Sequence, residues 1–143
     1  MIQPARLLIV DDEDAIIRLL TQFLTSRGYL VCWADRAVTC LDALDEFPDI
    51  RVVLLDLSVG GTELLRLIKV KRPAVQVIMM TGQGEEELTK RSISLGALAH
   101  LGKPLDLSIL EKLVGVCVKP RPLAGCPLSG KYTARIFHIF LEW

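Results

Sequence analysis

The feature of this sequence that most restricts its fold is a regular alternation of short apolar runs with longer amphipathic segments. Runs such as Leu7 to Val10 and Val52 to Leu55 are typical of buried strands. Apolar residues three or four positions apart follow each run, and this spacing predicts helices that cover those strands. The predicted strands comprise residues 6–10, 29–33, 52–55, 75–80 and 97–101.

Five amphipathic segments separate and follow these strands. Gly28 ends the first predicted helix, Asp35 caps the second and Pro48 ends it, and the fourth and fifth cover residues 85–95 and 107–116. The residues predicted to face inward from the first three helices are Ile16, Leu20, Phe23 and Leu24, then Val38, Cys40, Leu41 and Leu44, then Leu64, Leu65, Ile68 and Val70.

Five strand–helix repeats predict an α/β fold, because each parallel strand pair needs a crossover connection. Right-handed crossovers with units this short favour a doubly wound, flavodoxin-like parallel sheet in the order 2-1-3-4-5, with helices on both faces.

Composition excludes several function classes. Seventeen basic residues balance seventeen acidic ones, which argues against direct nucleic-acid binding, because such binding depends on an excess of basic residues. Asp11 interrupts the first apolar run too early for a signal peptide, and no run is long enough to span a membrane, so we expect a cytoplasmic protein. The four cysteines lack CxxC spacing, which favours reduced thiols over a zinc site or a disulfide framework.

The texture of the sequence changes near its C-terminal end. We expect one domain over residues 1–117, followed by a linker and an apolar tail over residues 118–143 that is rich in Pro and Gly at first. Ile136, Ile139, Phe140 and Trp143 fit one face of a helix, and a strand fits nearly as well. A truncated or added sequence and a docking or dimerisation segment both stay open for this tail.

Polar residues follow four of the five predicted strands at their carboxyl ends. They are Asp11 and Asp12 after the first strand, Asp56 after the third, Thr81 after the fourth and Lys103 after the fifth. In a 2-1-3-4-5 sheet these ends are neighbours, and ligands of open parallel sheets bind there. Taken singly, all of these residues except Asp56 are better explained as helix caps, turn residues or surface charges. Together they predict one site.

The chemistry of this set restricts what it binds. Carboxylates about 4 Å apart repel by about 4 kcal/mol at an effective dielectric near 20, so the cluster calls for a cation. Oxygen ligands without His or Cys favour Mg²⁺ or Mn²⁺ over zinc. Asp56 would then act as a nucleophile toward phosphorus, with Lys103 and the Thr81 hydroxyl bonding phosphoryl oxygens.

The same residues stand in four segments that resemble the signatures of two-component response-regulator receiver domains, the CheY-like family. These segments are LIVDDE at 8–13, VLLD at 53–56, MMTG at 79–82 and LGKP at 101–104, with Gly96-Ala97 before the last. The resemblance covers roughly residues 6 to 116. It implies that Asp56 accepts a phosphoryl group from a sensor histidine kinase or a histidine phosphotransfer protein.

The resemblance also implies roles for individual residues. Asp12 and Asp56 would bind Mg²⁺ directly, Asp11 would act largely through water, and the Ser58 carbonyl would complete the protein ligands. The Lys103–Pro104 peptide would be cis. Thr81 and the aromatic position on the fifth strand, here His100, would switch the face formed by helix 4, strand 5 and helix 5, which a downstream output protein or an output domain reads. Beyond its own phosphotransfer and dephosphorylation, such a domain is not an enzyme.

Three departures from the family pattern qualify these expectations. The loop 57–62 after Asp56 is shorter than usual and lacks a proline. His100 stands where Tyr or Phe is usual, so an exposed residue without a switching role is as good an interpretation. Gly82 follows Thr81, which predicts open access for water and a phosphodonor.

Other functions explain the sequence less well. A phosphate-ester hydrolase would need a second acid two residues after Asp56, where Ser58 stands. A nucleotide-binding module would use Gly82-Gln83-Gly84, but residues 85–87 are all glutamates there. The alternative that stays open is a receiver-like interaction module that works without phosphorylation.

Overall fold

The computed structural model describes residues 4–118, and these residues form alternating strands and helices. In chain order the elements are β1 (Arg6–Val10), α1 (Asp14–Ser26), β2 (Leu30–Ala34), α2 (Ala37–Glu46), β3 (Ile50–Asp56), α3 (Gly61–Lys71), β4 (Gln76–Thr81), α4 (Glu86–Ser94), β5 (Ala99–Gly102) and α5 (Leu107–Val118). The predicted linker and tail after Val118 lie outside the described residues.

The strands form one parallel sheet in the order β2-β1-β3-β4-β5. The predicted fold class and strand order are therefore confirmed. In this order β1 and β3 lie side by side at the centre, although α1, β2 and α2 separate them in sequence. The C-terminal ends of both strands thus meet in the middle of one edge.

The sheet is buried on both faces, since alternate strand residues enter two separate cores. Leu8, Val53 and Leu55 pack with residues of α2 and α3 on one face. Leu7 and Leu54 pack with residues of α1 and α5 on the other face. The near-continuous apolar strands of the sequence follow from this arrangement.

Several predicted side-chain positions are wrong. Val38 and Val70 are 66% and 83% exposed, so they lie on the outer faces of α2 and α3. Ile17, which was not predicted to face inward, is buried in the core under α1, and Ile16 is half-buried against the same core. Asp35 is not the N-cap of α2, because the helix begins one residue later with Arg36 as its cap, and Asp35 instead accepts a hydrogen bond from the Thr39 hydroxyl.

Two further findings concern the exclusions made from sequence. Within the described residues, Cys32, Cys40 and Cys117 are all free thiols. Among the helices of residues 4–118, none is long and apolar enough to cross a membrane.

Candidate functional site

Three carboxylates converge at the C-terminal edge of the sheet. Oxygen atoms of Asp11, Asp12 and Asp56 all lie within 4.8 Å of one another. Asp56 is the last residue of β3, whereas Asp11 and Asp12 directly follow β1. Asp11 and Asp56 are buried and Asp12 is exposed, so the cluster opens to solvent on the side of Asp12.

Lys103 joins the two buried carboxylates. Its ammonium Nζ lies 3.0 Å from Asp11 Oδ2 and 3.0 Å from Asp56 Oδ2. The backbone holds Lys103 at this edge, since its N–H donates to the Thr81 carbonyl at 2.7 Å. The Lys103–Pro104 peptide bond is cis, as predicted. One positive charge thus faces three negative ones, and the set keeps a net negative charge.

The two buried carboxylates differ in protonation behaviour. Burial raises the pKa of Asp11 and outweighs the hydrogen bonds from the Glu13 backbone and Lys103. At Asp56 burial also acts to raise the pKa, but hydrogen bonds from the Ser58 backbone, Lys103 and the Ser58 hydroxyl more than offset it and lower the pKa. Asp56 is therefore held as a carboxylate, the form that a nucleophile needs.

Ser58 fixes the orientation of Asp56. The Ser58 N–H donates to Asp56 Oδ1 at 3.1 Å, and the Ser58 hydroxyl donates to Asp56 Oδ2 at 2.9 Å. Residues of this loop then turn through Gly60 and Gly61, both with positive φ, into α3. A side chain on Gly60 would also meet Leu64 Cβ at 2.8 Å, so the short loop depends on glycine there.

Thr81 and His100 lie on the adjacent strands β4 and β5, where Thr81 pairs with Gly102 and His100 pairs with Met79. Thr81 is buried at the end of β4, and its hydroxyl lies 3.4 Å from the Leu101 carbonyl of β5, to which it donates. His100 lies between buried Ala99 and Leu101 and opposite Met79. It is half-buried, and burial lowers the pKa of its imidazole.

The structure thus brings Asp11, Asp12, Asp56, Ser58 and Lys103 into one cluster, with Thr81 and His100 on the neighbouring strands. Two contacts were not predicted: the Ser58 hydroxyl on Asp56, and Glu85, whose carboxylate accepts a hydrogen bond from the Gly82 N–H at 2.6 Å. Gly82 itself is exposed, and open access for water and a phosphodonor stays a prediction. The sequence shows only that a polar residue, Ser58 or Glu85, stands a few positions after Asp56 or Thr81; it does not indicate which atoms these side chains contact.

Comparisons with known proteins agree with this geometry. The family model described as the response regulator receiver domain matches residues 7–115. The chain belongs to this family. Sporulation initiation phosphotransferase F of Bacillus subtilis (strain 168) is 36% identical over 113 residues, which are 76% of this chain and 90% of that protein. Chemotaxis protein CheY of Treponema pallidum (strain Nichols) is 34% identical over 122 residues, which are 79% of this chain and 83% of that protein.

A solved structure and a longer relative extend the comparison. The receiver domain protein from Clostridium thermocellum superposes with a TM-score of 0.76 at 28% identity, and the match covers 80% of this chain and 94% of that one. The putative response regulator NtrX-like of Rickettsia felis (strain ATCC VR-1525 / URRWXCal2) is 33% identical, over 69% of this chain and only 22% of its own length. Receiver domains are thus found both nearly alone and as one part of a longer response regulator. They are signalling modules and generally not enzymes.

Proposed function

We propose that this receiver domain accepts a phosphoryl group on Asp56 from a histidine kinase or a histidine phosphotransfer protein. The observation that carries the proposal is the position of Asp56: it is buried, ionised, and held between Ser58 and Lys103 at the edge where three carboxylates meet. A buried carboxylate with a lowered pKa and a cationic neighbour suits a phosphoacceptor.

In the transfer step, an Asp56 carboxylate oxygen attacks the phosphorus of a phosphohistidine. An O–P bond forms while the N–P bond breaks, and the imidazole leaves with the bonding electron pair. Lys103 can move from the Asp56 carboxylate to a phosphoryl oxygen, since its ammonium lies 3.0 Å from that carboxylate. Ser58 keeps Asp56 oriented through its backbone N–H during the attack.

The donor set fits a hard divalent cation, Mg²⁺ or Mn²⁺. Asp11, Asp12 and Asp56 offer oxygen atoms only, two of the three carboxylates are buried, and Lys103 supplies just one compensating charge. We assign Asp12 and Asp56 as direct ligands, the Ser58 carbonyl as a third and Asp11 as a ligand through water. When bound, the metal neutralises charge that develops on the phosphoryl oxygens.

We further propose that phosphorylation switches the face formed by α4, β5 and α5. The Thr81 hydroxyl bonds the Leu101 carbonyl in the structure described, next to His100 on the same strand. A phosphoryl group on Asp56 offers this hydroxyl a charged acceptor, which is the stronger partner. Loss of the hydrogen bond between Thr81 and Leu101 would let His100 repack. A downstream output protein, or an output domain, would then bind the changed face of α4, β5 and α5.

The test of phosphoacceptance is the intact mass of the protein after incubation with Mg²⁺ and acetyl phosphate. We expect a gain of about 80 Da, one phosphoryl group, that is absent with EDTA and absent in Asp56→Asn. Asp42→Asn, the same substitution at an exposed residue of α2, serves as a folded control that keeps Asp56 and its contacts. If no adduct forms in the unsubstituted protein and beryllofluoride also fails to bind, the fold serves protein contacts without phosphorylation.

The metal assignment has a separate test in the free energy of unfolding by urea. A cation that binds only the folded chain stabilises it by about 1.4 kcal/mol at ten times its dissociation constant. We expect Mg²⁺ to stabilise the unsubstituted protein and to have little effect on Asp12→Asn. Glu13→Gln removes the same charge from the next residue and should keep the effect of Mg²⁺. Equal stabilisation of all three proteins would contradict the assignment.

A further inference from the structure

A carboxylate of the chain itself accepts a hydrogen bond from a backbone N–H at the same edge of the sheet as Asp56. The Gly82 N–H donates to Glu85 Oε1 at 2.6 Å, and this bond closes the loop between β4 and α4. Gly84, with φ +83°, makes the tight turn that brings Glu85 back. A hydrogen bond to a charged acceptor is stronger than one between neutral groups, so the contact is a specific feature of the loop.

The sheet order brings the Gly82 N–H to the same edge of the sheet as Asp56. β4 is the strand between β3, which ends in Asp56, and β5, which leads to Lys103. Asp56 pairs with Met80 in the β3–β4 register, so Gly82 lies two residues further along the adjacent strand, which runs about 4.8 Å away. A phosphoryl group that extends from Asp56 beyond the end of β3 would therefore lie beside the end of β4.

We propose that the Glu85 carboxylate acts as an internal competitor for the phosphoryl group, and that phosphorylation displaces it from the Gly82 N–H. This inference rests on the proposed function of Asp56. One N–H cannot serve two anions at close range, because the anions also repel each other. Glu85 thereby limits how tightly the site takes a phosphoryl group or its analogue.

Displacement of Glu85 would also reach helix α4. Glu85 is the N-cap residue of α4, and its carbonyl accepts hydrogen bonds from the Thr89 N–H at 2.9 Å and the Thr89 hydroxyl at 2.8 Å. Because the N-cap residue sets where the helix begins, a movement of the Glu85 side chain would affect the first turn of α4. The same contact thus links occupancy of the Asp56 site to the start of α4, independently of Thr81 and His100.

The experiment is a titration of the full chain with beryllofluoride in the presence of Mg²⁺, followed by amide resonances. Glu85→Ala removes the competitor, Glu85→Gln keeps an acceptor without the charge, and Glu86→Ala removes the same charge from the exposed neighbouring residue. We expect roughly fivefold tighter binding by Glu85→Ala, an intermediate gain for Glu85→Gln and less than about a twofold change for Glu86→Ala.

Hydrogen exchange of the Gly82 amide without beryllofluoride provides a second readout. We expect Glu85→Ala to accelerate this exchange by roughly tenfold and Glu86→Ala to leave it nearly unchanged. If the unsubstituted protein binds beryllofluoride but Glu85→Ala binds no more tightly than Glu86→Ala, the competitor role is wrong and the function of Asp56 stands. If the unsubstituted protein does not bind, the proposed function fails and this inference fails with it.

Discussion

At the residue scale, Lys103 decides the charge balance of the site. Its ammonium lies 3.0 Å from each of two buried carboxylates, and burial of either carboxylate without a partner would be costly. The pKa of Lys103 is raised, since its hydrogen bonds to Asp11 and Asp56 outweigh its own burial. The residue is therefore charged at neutral pH and holds Asp56 ready for attack.

His100 gives the fold a pH dependence that can be measured. Burial lowers the pKa of His100 below its ordinary value of 6.5, so the unfolded chain binds this proton more readily than the folded chain. The contribution of His100 to the free energy of unfolding should therefore be fully present above pH 6.5 and should decline as the pH falls below that value. Urea denaturation across this range checks the slope.

The control for that prediction is His100→Phe, which removes the titrating group and restores the aromatic type usual in the family. Its stability should change less with pH than that of the unsubstituted protein over the same interval. The only other histidine, His138, is common to both chains and cancels in the comparison. Parallel curves for the two proteins would mean that His100 titrates alike in the folded and unfolded chain.

At the scale of elements, Arg72 joins α3 to the connection between α2 and β3. Its guanidinium donates to four backbone carbonyls, those of Leu44, Phe47, Pro48 and Ile50, at 2.8 to 3.3 Å. The last carbonyls of a helix have no partner within the helix, and Arg72 supplies one for α2. The contact holds β3, and hence Asp56, in place from the opposite end of the strand.

We predict that Arg72→Lys lowers the free energy of unfolding by about 2 kcal/mol, because an ammonium cannot reach all four carbonyls in the fork geometry of a guanidinium. Arg66→Lys within α3 is the matched control, since Arg72 is the C-cap residue of that helix. Arg66 is exposed and lies 3.7 Å from Glu63, so its substitution should change stability by less than about 0.5 kcal/mol. Equal effects of the two substitutions would contradict the role of Arg72.

The elements also show what the sequence could and could not predict. The strand order was predictable from right-handed crossovers between short strand–helix repeats, and the cluster of Asp11, Asp56 and Lys103 from where the apolar runs end in a sheet of that order. Val38 and Val70 were misassigned because hydrophobicity alone does not fix which way a helix faces when several apolar positions compete. The contacts of Arg72 and Glu85 were not predictable, since they depend on how far long side chains reach in the folded chain.

At the scale of the whole molecule, two cores hold the sheet, and the core under α1 and α5 uses residues as far along the chain as Val118. Leu110, Leu113 and Val114 of α5 are buried against the strands beneath α1, in the same core as Leu20 and Leu24. The last helix is thus part of the domain. We retain as a proposal that residues 1–117 are the receiver domain and that residues 118–143 are a separate linker and tail.

A pair of fragments tests this domain boundary. A chain of residues 1–118 should unfold in one cooperative transition and take up beryllofluoride with Mg²⁺. A chain of residues 1–105 should not fold, because burial of each α5 core side chain contributes about 1.5–3 kcal/mol and their sum is comparable to the whole stability of a domain. Circular dichroism during urea denaturation measures both. Loss of folding in the longer fragment would place part of the domain beyond Val118.

The most direct test of the central claim is the position of the phosphoryl group in the chain. After phosphorylation by acetyl phosphate with Mg²⁺, borohydride reduces an aspartyl phosphate to homoserine, which lowers the peptide mass by about 14 Da. Cleavage after Lys and Arg separates Asp56, in residues 52–66, from Asp11 and Asp12, in residues 7–18. We predict the mass change in the peptide 52–66 at Asp56. A change in the peptide 7–18 would contradict the assignment of Asp56 as the nucleophile.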